Sequence, residues 1–209
     1  MGIAVHNMGS VPFGRALELQ GELREEVRRG GQDGSILVLE HPEPVITLGR
    51  RGGELLYTEE GLARRGIGLF PLSRGGEATA HEPGQLVVYF ILPVESKAAS
   101  FFVRKALAPL VECSERVAGI LPRYDESRPG LWCHEMKIAS VGFDLRGGVS
   151  MHGLALNVNN SLETFRFIRP CGMETTELAS LARISGRELD MERVLSLAAE
   201  LYARHFLES

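Results

Sequence analysis

Two long apolar stretches, Ile138 to Leu145 and Val149 to Val158, stand with only Arg146-Gly147-Gly148 between them, and this pair constrains the fold more than any other feature of the chain. Both are rich in β-branched and aliphatic residues, and a three-residue connection with two glycines turns the chain back on itself, so a β-hairpin is predicted. Leu131 to Cys133 reads as a strand just before it. Upstream, Ile36-Leu37-Val38-Leu39 and Val45-Ile46-Thr47-Leu48 read as two buried strands separated by Pro42 and Pro44. Gly68-Leu69-Phe70 and Leu86 to Leu92, closed by Pro93, add two more. Apolar residues at helical spacing predict helices over Gly14 to Arg29, Thr58 to Arg65 and Ser100 to Val117. A last helix, capped by Asp190, turns Val194, Leu195, Ala198, Leu201, Tyr202 and Phe206 inward. The order is α+β (α/β-type) with no βαβ repetition. The expected fold is therefore a mixed, largely antiparallel sheet with flanking helices, in a single domain over residues 1–209.

Composition excludes several functions. With 44% hydrophobic and 24% charged residues the 209-residue chain has the make-up of a soluble globular domain. A formal net charge of -4 argues against nucleic acid as a partner. The run from Leu86 to Leu92 is far too short to span a membrane, no signal peptide is evident, and His6 stands where a myristoylation motif needs Ser or Thr. A cytoplasmic protein without a membrane partner is expected. Cys113, Cys133 and Cys171 are too few and too irregular for a disulfide framework or a zinc ribbon.

One of those cysteines has a distinctive setting, Pro170-Cys171-Gly172. A thiol attacks as thiolate, and a free pKa near 8.5 leaves little thiolate at neutral pH without a neighbouring base or cation. Lys plus Arg number 23, but only Lys97, Lys105 and Lys137 are lysines. Lys137 heads the apolar run Lys137-Ile138-Ala139-Ser140-Val141-Gly142, where desolvation would lower its pKa towards a value useful for proton transfer. Together the two groups make an acyl-transfer site. The alternative for Lys137 is a strand-end side chain whose stem covers apolar surface while its head reaches water.

Arg74-Gly75-Gly76-Glu77-Ala78-Thr79-Ala80-His81-Glu82-Pro83-Gly84-Gln85 is a second informative segment. Its glycines allow backbone to approach a ligand, while Arg74, Thr79 and His81 add polar handles. A long β-connection that uses glycine for positive φ is the plainer alternative. His152-Gly153-Leu154-Ala155 offers another close backbone approach, and spacing alone leaves Lys137, His81 and His152 all open as the base for Cys171. Zinc is not expected, because His81, His152, Cys133 and Cys171 contain no compact ligand pair. Leu48-Gly49-Arg50-Arg51-Gly52-Gly53 lacks the following helix start of a phosphate loop and reads as a turn with solvated arginines.

Four segments together resemble the octanoyltransferase family, the lipoyl(octanoyl) transferases of protein lipoylation. They are Leu39-Glu40-His41-Pro42 with Val45 to Gly49, Arg74 to Gln85, Lys137 to Gly142 with His152 to Asn157, and Pro170-Cys171-Gly172. The resemblance implies a fold like the biotin and lipoate protein ligase catalytic domain. It implies Cys171 as the acyl-thioester nucleophile and Lys137 as the group that lowers its pKa and serves as general acid and base. Substrate contacts are implied at Arg74, Gly75, Gly76, Glu77, Ala78, Thr79, Ala80 and His81, at Ser140, Val141 and Gly142, and at Gly153, Leu154 and Ala155. The implied donor is octanoyl-acyl carrier protein. The implied acceptors are lipoyl domains of 2-oxoacid dehydrogenase complexes and the glycine cleavage H protein, with no cofactor and no ATP.

Backbone N–H groups of the glycine-rich stretches would then stabilise the tetrahedral oxyanion, and the strands around Leu86 to Leu92 and Ile138 to Val141 would line an apolar slot for the eight-carbon chain. Two departures stand inside the first stretch. Ala80 replaces an aromatic residue, which would open the pocket wall, and Glu82 replaces a glycine, which would put a carboxylate near the mouth. An ATP-dependent lipoate or biotin ligase, a non-catalytic acyl-binding protein and a thioesterase are the alternatives. The ligase needs no cysteine.

Overall fold

The computed structural model describes residues 2–95, 98–169 and 177–207. Pro170, Cys171 and Gly172 lie outside the described residues, as does Lys97. The elements run β1 (Ala4–Ser10), α1 (Phe13–Arg28), β2 (Ser35–Glu40), β3 (Val45–Leu48), β4 (Glu54–Leu55), α2 (Glu59–Ala63), β5 (Gly68–Pro71), β6 (Ala78–His81) and β7 (Gln85–Ile91). They continue with α3 (Ala99–Ala118), β8 (Arg123–Tyr124), β9 (Gly130–Cys133), β10 (Met136–Asp144), β11 (Met151–Asn157), β12 (Ile168–Arg169), α4 (Leu181–Ser185) and α5 (Met191–Leu207).

Seven strands form the main sheet in the order β1-β2-β7-β11-β10-β9-β8. Only β1 and β2 pair in parallel; every other neighbouring pair is antiparallel. The expected hairpin is present as β10 and β11, turned by a short 3-10 segment at Arg146–Gly148 in which Gly147 takes φ 72°. Its second strand lies between two partners. That position explains why Leu154 and Leu156 on one face and Ala155 on the other are all buried.

Residues alternate between the faces of this sheet and so feed two cores. Ile36, Val38, Val88, Phe90, Leu154 and Leu156 pack with Leu107, Leu110 and Cys113 of α3 and with Leu201, Tyr202 and Phe206 of α5. Leu37, Leu39, Val87, Tyr89, Ile91 and Ala155 pack instead with Ala16 and Val27 of α1. Both long helices of the first core turn inward the residues their periodicity predicts. Asp190 caps α5 by accepting from the Arg193 N–H at 3.2 Å, and Thr58 caps α2 by accepting from the Gly61 N–H at 3.2 Å.

A smaller sheet in the order β5-β3-β6 stands apart from the main one, with a two-stranded β12-β4 ribbon beside it. Pro42 and Pro44 therefore mark a crossing between sheets: β2 stays in the main sheet and β3 enters the small one. Ile46, Leu62, Ala78, Ala80, Phe165, Ile168 and Leu178 form its core.

Glu82 lies at the joint between the sheets and does not stand at a pocket mouth. It is buried, and its carboxylate accepts from the Leu162 N–H at 2.7 Å, from Asn160 Nδ2 at 3.2 Å and from the Thr164 N–H. Three donors on one carboxylate make a structural anchor for the segment before β12. Glu82→Ala is expected to destabilise the protein by roughly 2–3 kcal/mol, because it leaves the buried Thr164 N–H and the part-buried Leu162 N–H without their acceptor. Urea unfolding of the variant beside the parent checks this; equal midpoints would remove the anchor role.

Candidate active site

A cavity opens between the main sheet, the small sheet and the start of α1. The small sheet roofs it with Ala78, Thr79 and His81 from β6 and with Arg74, Gly76 and Glu77 from the loop before it. Ser140, Val141 and Gly142 of β10 and Gly153, Leu154 and Ala155 of β11 make the floor. Twelve of the fourteen positions expected at the substrate thus line one cavity. Gly75 and Ala80 do not. The Gly75 N–H donates to the Phe143 carbonyl at 2.8 Å and closes the loop onto β10. Ala80 is fully buried in the small-sheet core beside Ile46, its partner on β3, so its lost ring alters that core and not the cavity wall.

Lys137 lines the same cavity and is only 7% exposed. It sits where the pairing of β9 with β10 shifts register, between Lys137 and Ala139. Its carbonyl accepts from the Ala179 N–H at 3.1 Å, and its Nζ lies 5.8 Å from the centre of the Trp132 ring. Room for the side chain comes from Gly130, at φ 156°, where a Cβ would stand 2.5 Å from Lys137 Cε. The amine is thus built into the cavity wall. The reading of Lys137 as a snorkelling surface side chain does not hold.

Arg74 crosses the roof and is also buried. Its Nη2 donates to the Thr47 carbonyl at 2.7 Å and to Thr47 Oγ1 at 2.8 Å, its Nε donates to the same hydroxyl at 3.2 Å, and its Nη1 donates to the Gly75 carbonyl at 3.0 Å. Two glycines make this seat possible. A Cβ at Gly49 would stand 2.8 Å from Arg74 Nη1, and one at Gly142 would stand 2.9 Å from its Cδ.

Both histidines weighed as bases are buried and neutral. Burial, with neighbouring His41 and Arg74 adding to it, pushes His81 down to about 3. Its Nδ1 is 2.7 Å from Gln85 Oε1, while Gln85 Nε2 donates to Asn157 Oδ1 at 2.9 Å and to the Ala80 carbonyl at 3.3 Å. With Oε1 thereby identified as the acceptor, His81 carries its proton on Nδ1 and turns an unprotonated Nε2 away from Gln85. Burial also lowers His152, to about 4. His152 takes φ 64° and receives support from Gln20 Oε1, which accepts its N–H at 2.9 Å. Its Nε2 lies 3.4 Å from Ser73 Oγ.

Phe13, Leu72, Phe165 and Leu178 also line the cavity, and sequence reasoning missed them; Tyr89, within the strand Leu86 to Leu92 expected at an apolar slot, lines it too. Leu178 forms an isolated parallel bridge with Lys137, so the chain returning after residue 176 closes the lysine end. The amides of Gly153, Leu154 and Ala155 lie between β7 and β10 and are taken up by the ladders on either side. As oxyanion donors they are therefore unsuited, contrary to expectation. Among the described residues no group of three or more His, Cys, Asp or Glu side chains could hold a metal, and no helix is long and apolar enough to cross a membrane.

This arrangement of sheets and helices is like that of solved lipoate protein ligases. Lipoate-protein ligase A bound with ATP superposes with a TM-score of 0.75 over 98% of this chain and 85% of that one, at 16% identity, a likeness of fold alone. The chain belongs to the lipoyl protein ligase A/B catalytic domain family, whose model matches residues 12–202. It is 33% identical to the octanoyltransferase of Maridesulfovibrio salexigens over 97% of this chain and 96% of that protein. It is 40% identical to the octanoyltransferase of Nitratidesulfovibrio vulgaris over 96% and 91% respectively.

Proposed function

We propose that this chain is an acyltransferase that moves an octanoyl group from octanoyl-acyl carrier protein, through a thioester on Cys171, to a lysine of lipoyl domains. The observation that carries the reading is a buried amine, Lys137, set in the wall of a glycine-floored cavity, in a chain related to octanoyltransferases over nearly its whole length. An amine held in the wall of such a cavity is placed to take a proton from a reacting group and return it.

In the first half-reaction the Cys171 thiol gives its proton to Lys137 and the thiolate attacks the donor's thioester carbonyl. The tetrahedral intermediate collapses with loss of the pantetheine thiolate, which takes the proton back from Lys137. In the second, the acceptor lysine loses a proton to Lys137 and attacks the acyl-enzyme. The tetrahedral adduct collapses to the amide, the second proton of its nitrogen passes to the departing Cys171 thiolate, and Lys137 releases the proton it took to solvent. Exchange of one thioester for another is nearly balanced and the amide lies downhill, so no ATP is required. Arg74 supplies positive charge on the roof where the oxyanion develops, a role the ladder-bound amides of β11 cannot fill. His81 and His152, held neutral, serve as hydrogen-bonding walls and not as the base.

Intact-protein mass spectrometry with octanoyl-acyl carrier protein, with and without a lipoyl domain and in the absence of ATP, tests the reading. One octanoyl group on the parent chain, none on Cys171→Ser, and discharge to the lipoyl domain is the expected result. An adduct that survives Cys171→Ser removes the nucleophile assignment, and transfer that needs ATP and free octanoate turns the reading to a ligase.

A further inference from the structure

Across the cavity floor the side chains change abruptly in size. Gly142, Gly153 and Tyr89 stand in register on three adjacent strands, and Ser140, Ala155 and Val87 follow in the next same-facing row. On β10 and β11 nothing larger than a hydroxymethyl rises from this floor. On β7 it meets a phenol ring.

That ring is pinned. Tyr89 Oη lies 2.9 Å from His41 Nε2, and His41 Nδ1 lies 2.7 Å from the Val11 carbonyl. A carbonyl can only accept, so Nδ1 carries the imidazole proton and Nε2 accepts from the phenol. Phe13, the first residue of α1, packs against the same group, with ring centres 5.1 Å from His41, 4.6 Å from Phe70 and 6.0 Å from His81, the last nearly parallel. Phe13, His81 and Tyr89 face the cavity, while His41 and Phe70 stand behind them.

We propose that Phe13 and Tyr89, braced by His41, form the end wall of the acyl slot and set the length of the chain that this site accepts. The inference rests on the reading above, which puts the thioester at the Lys137 end. Lys137 stands on β10 beside β9, and Tyr89 stands two strands away. By register, Ala139, two residues from Lys137, pairs with Leu156, whereas Tyr89 pairs with Gly153, so Tyr89 also lies about five residues further along the sheet and the two residues stand at opposite ends of the cavity. The wall suits a methyl terminus because it carries no charge: burial keeps His41 and His81 unprotonated and the Tyr89 phenol un-ionised. It suits a fixed length because its rings are held by hydrogen bonds and by one another, leaving no free rotamer to swing aside for a longer chain.

The test is competitive loading of the full chain from an equimolar mixture of hexanoyl-, octanoyl-, decanoyl- and dodecanoyl-acyl carrier protein. Intact mass reads the bound acyl group, and thermal unfolding verifies each variant. The parent is expected to take up octanoyl in preference. Phe13→Ala should raise the dodecanoyl-to-octanoyl ratio at least tenfold, and Phe13→Leu should raise the decanoyl-to-octanoyl ratio by a smaller factor. Should both Phe13 variants fail to fold, Ala155→Val, which raises the floor, should shift loading towards hexanoyl. Unchanged ratios in a folded variant that still loads acyl groups would overturn the wall and leave the transferase reading intact. A parent chain that takes no acyl group from any donor would overturn both.

Discussion

Replacing Lys137 by methionine is expected to slow single-turnover acylation by octanoyl-acyl carrier protein by about 10²–10⁴-fold, the usual worth of a positioned acid–base group. Methionine keeps most of the stem volume that Trp132, Gly130 and Leu178 enclose, so the fold should persist and the loss can be assigned to the amine. Quenched-flow mass spectrometry of the acyl-enzyme measures the rate. A rate within a factor of two of the parent would move the base role elsewhere. His81 and His152 are poor heirs, since burial lowers them to about 3 and about 4 and so leaves both weak bases for a thiol or an ammonium.

Gly153→Ala is expected to be the most damaging single-methyl change, destabilising the protein by more than about 3 kcal/mol. A Cβ there would stand 2.0 Å from the Val88 carbonyl oxygen and 3.0 Å from the Phe90 ring. Neither is the movable tip of a side chain: the first is backbone of the adjacent strand β7, and the second lies in the main core. Gly21→Ala makes the matched control. Gly21 lies inside α1 with nothing within 4 Å of its Cβ position, so alanine should raise stability by about 0.5–1 kcal/mol through helix propensity. Thermal and urea unfolding of the three proteins decide the matter. A Gly153→Ala protein as stable as its parent would mean that β7 and β11 can separate locally at no cost.

Periodicity made the long elements legible because burial imposes it. The inward face of α5 and the hairpin of β10 with β11 were both readable for that reason. The edge strand β1 was not, since Ala4–Ser10 is half exposed and carries His6, Asn7 and Ser10. Nor was the division into two sheets, because a strand leaving one sheet for another through Pro42 and Pro44 has the same local pattern as one that stays.

In the site, glycines and unusual polar residues marked the two stretches, and the resemblance to octanoyltransferases supplied the roof and floor residue by residue. The end wall was not among these residues. Phe13 at a helix start and Tyr89 in an apolar strand have the pattern of ordinary core residues, and only the register of β7 against β11 shows them facing a cavity. Ala80 and Glu82 were misplaced for a related reason. Adjacent strand residues point to opposite faces, so Ala80 belongs to the small-sheet core although Thr79 and His81 on either side of it face the cavity.

The carboxylate of Glu82 directly follows the cavity-facing His81 and holds Leu162 and Thr164, on the stretch of chain that leads towards Cys171. Roof and approach segment are thereby joined into one cooperative unit, so a local opening that releases one releases the other. Amide hydrogen exchange at His81, Leu162 and Thr164 is therefore expected to proceed through one shared opening, and Glu82→Gln should speed exchange on both sides of the joint.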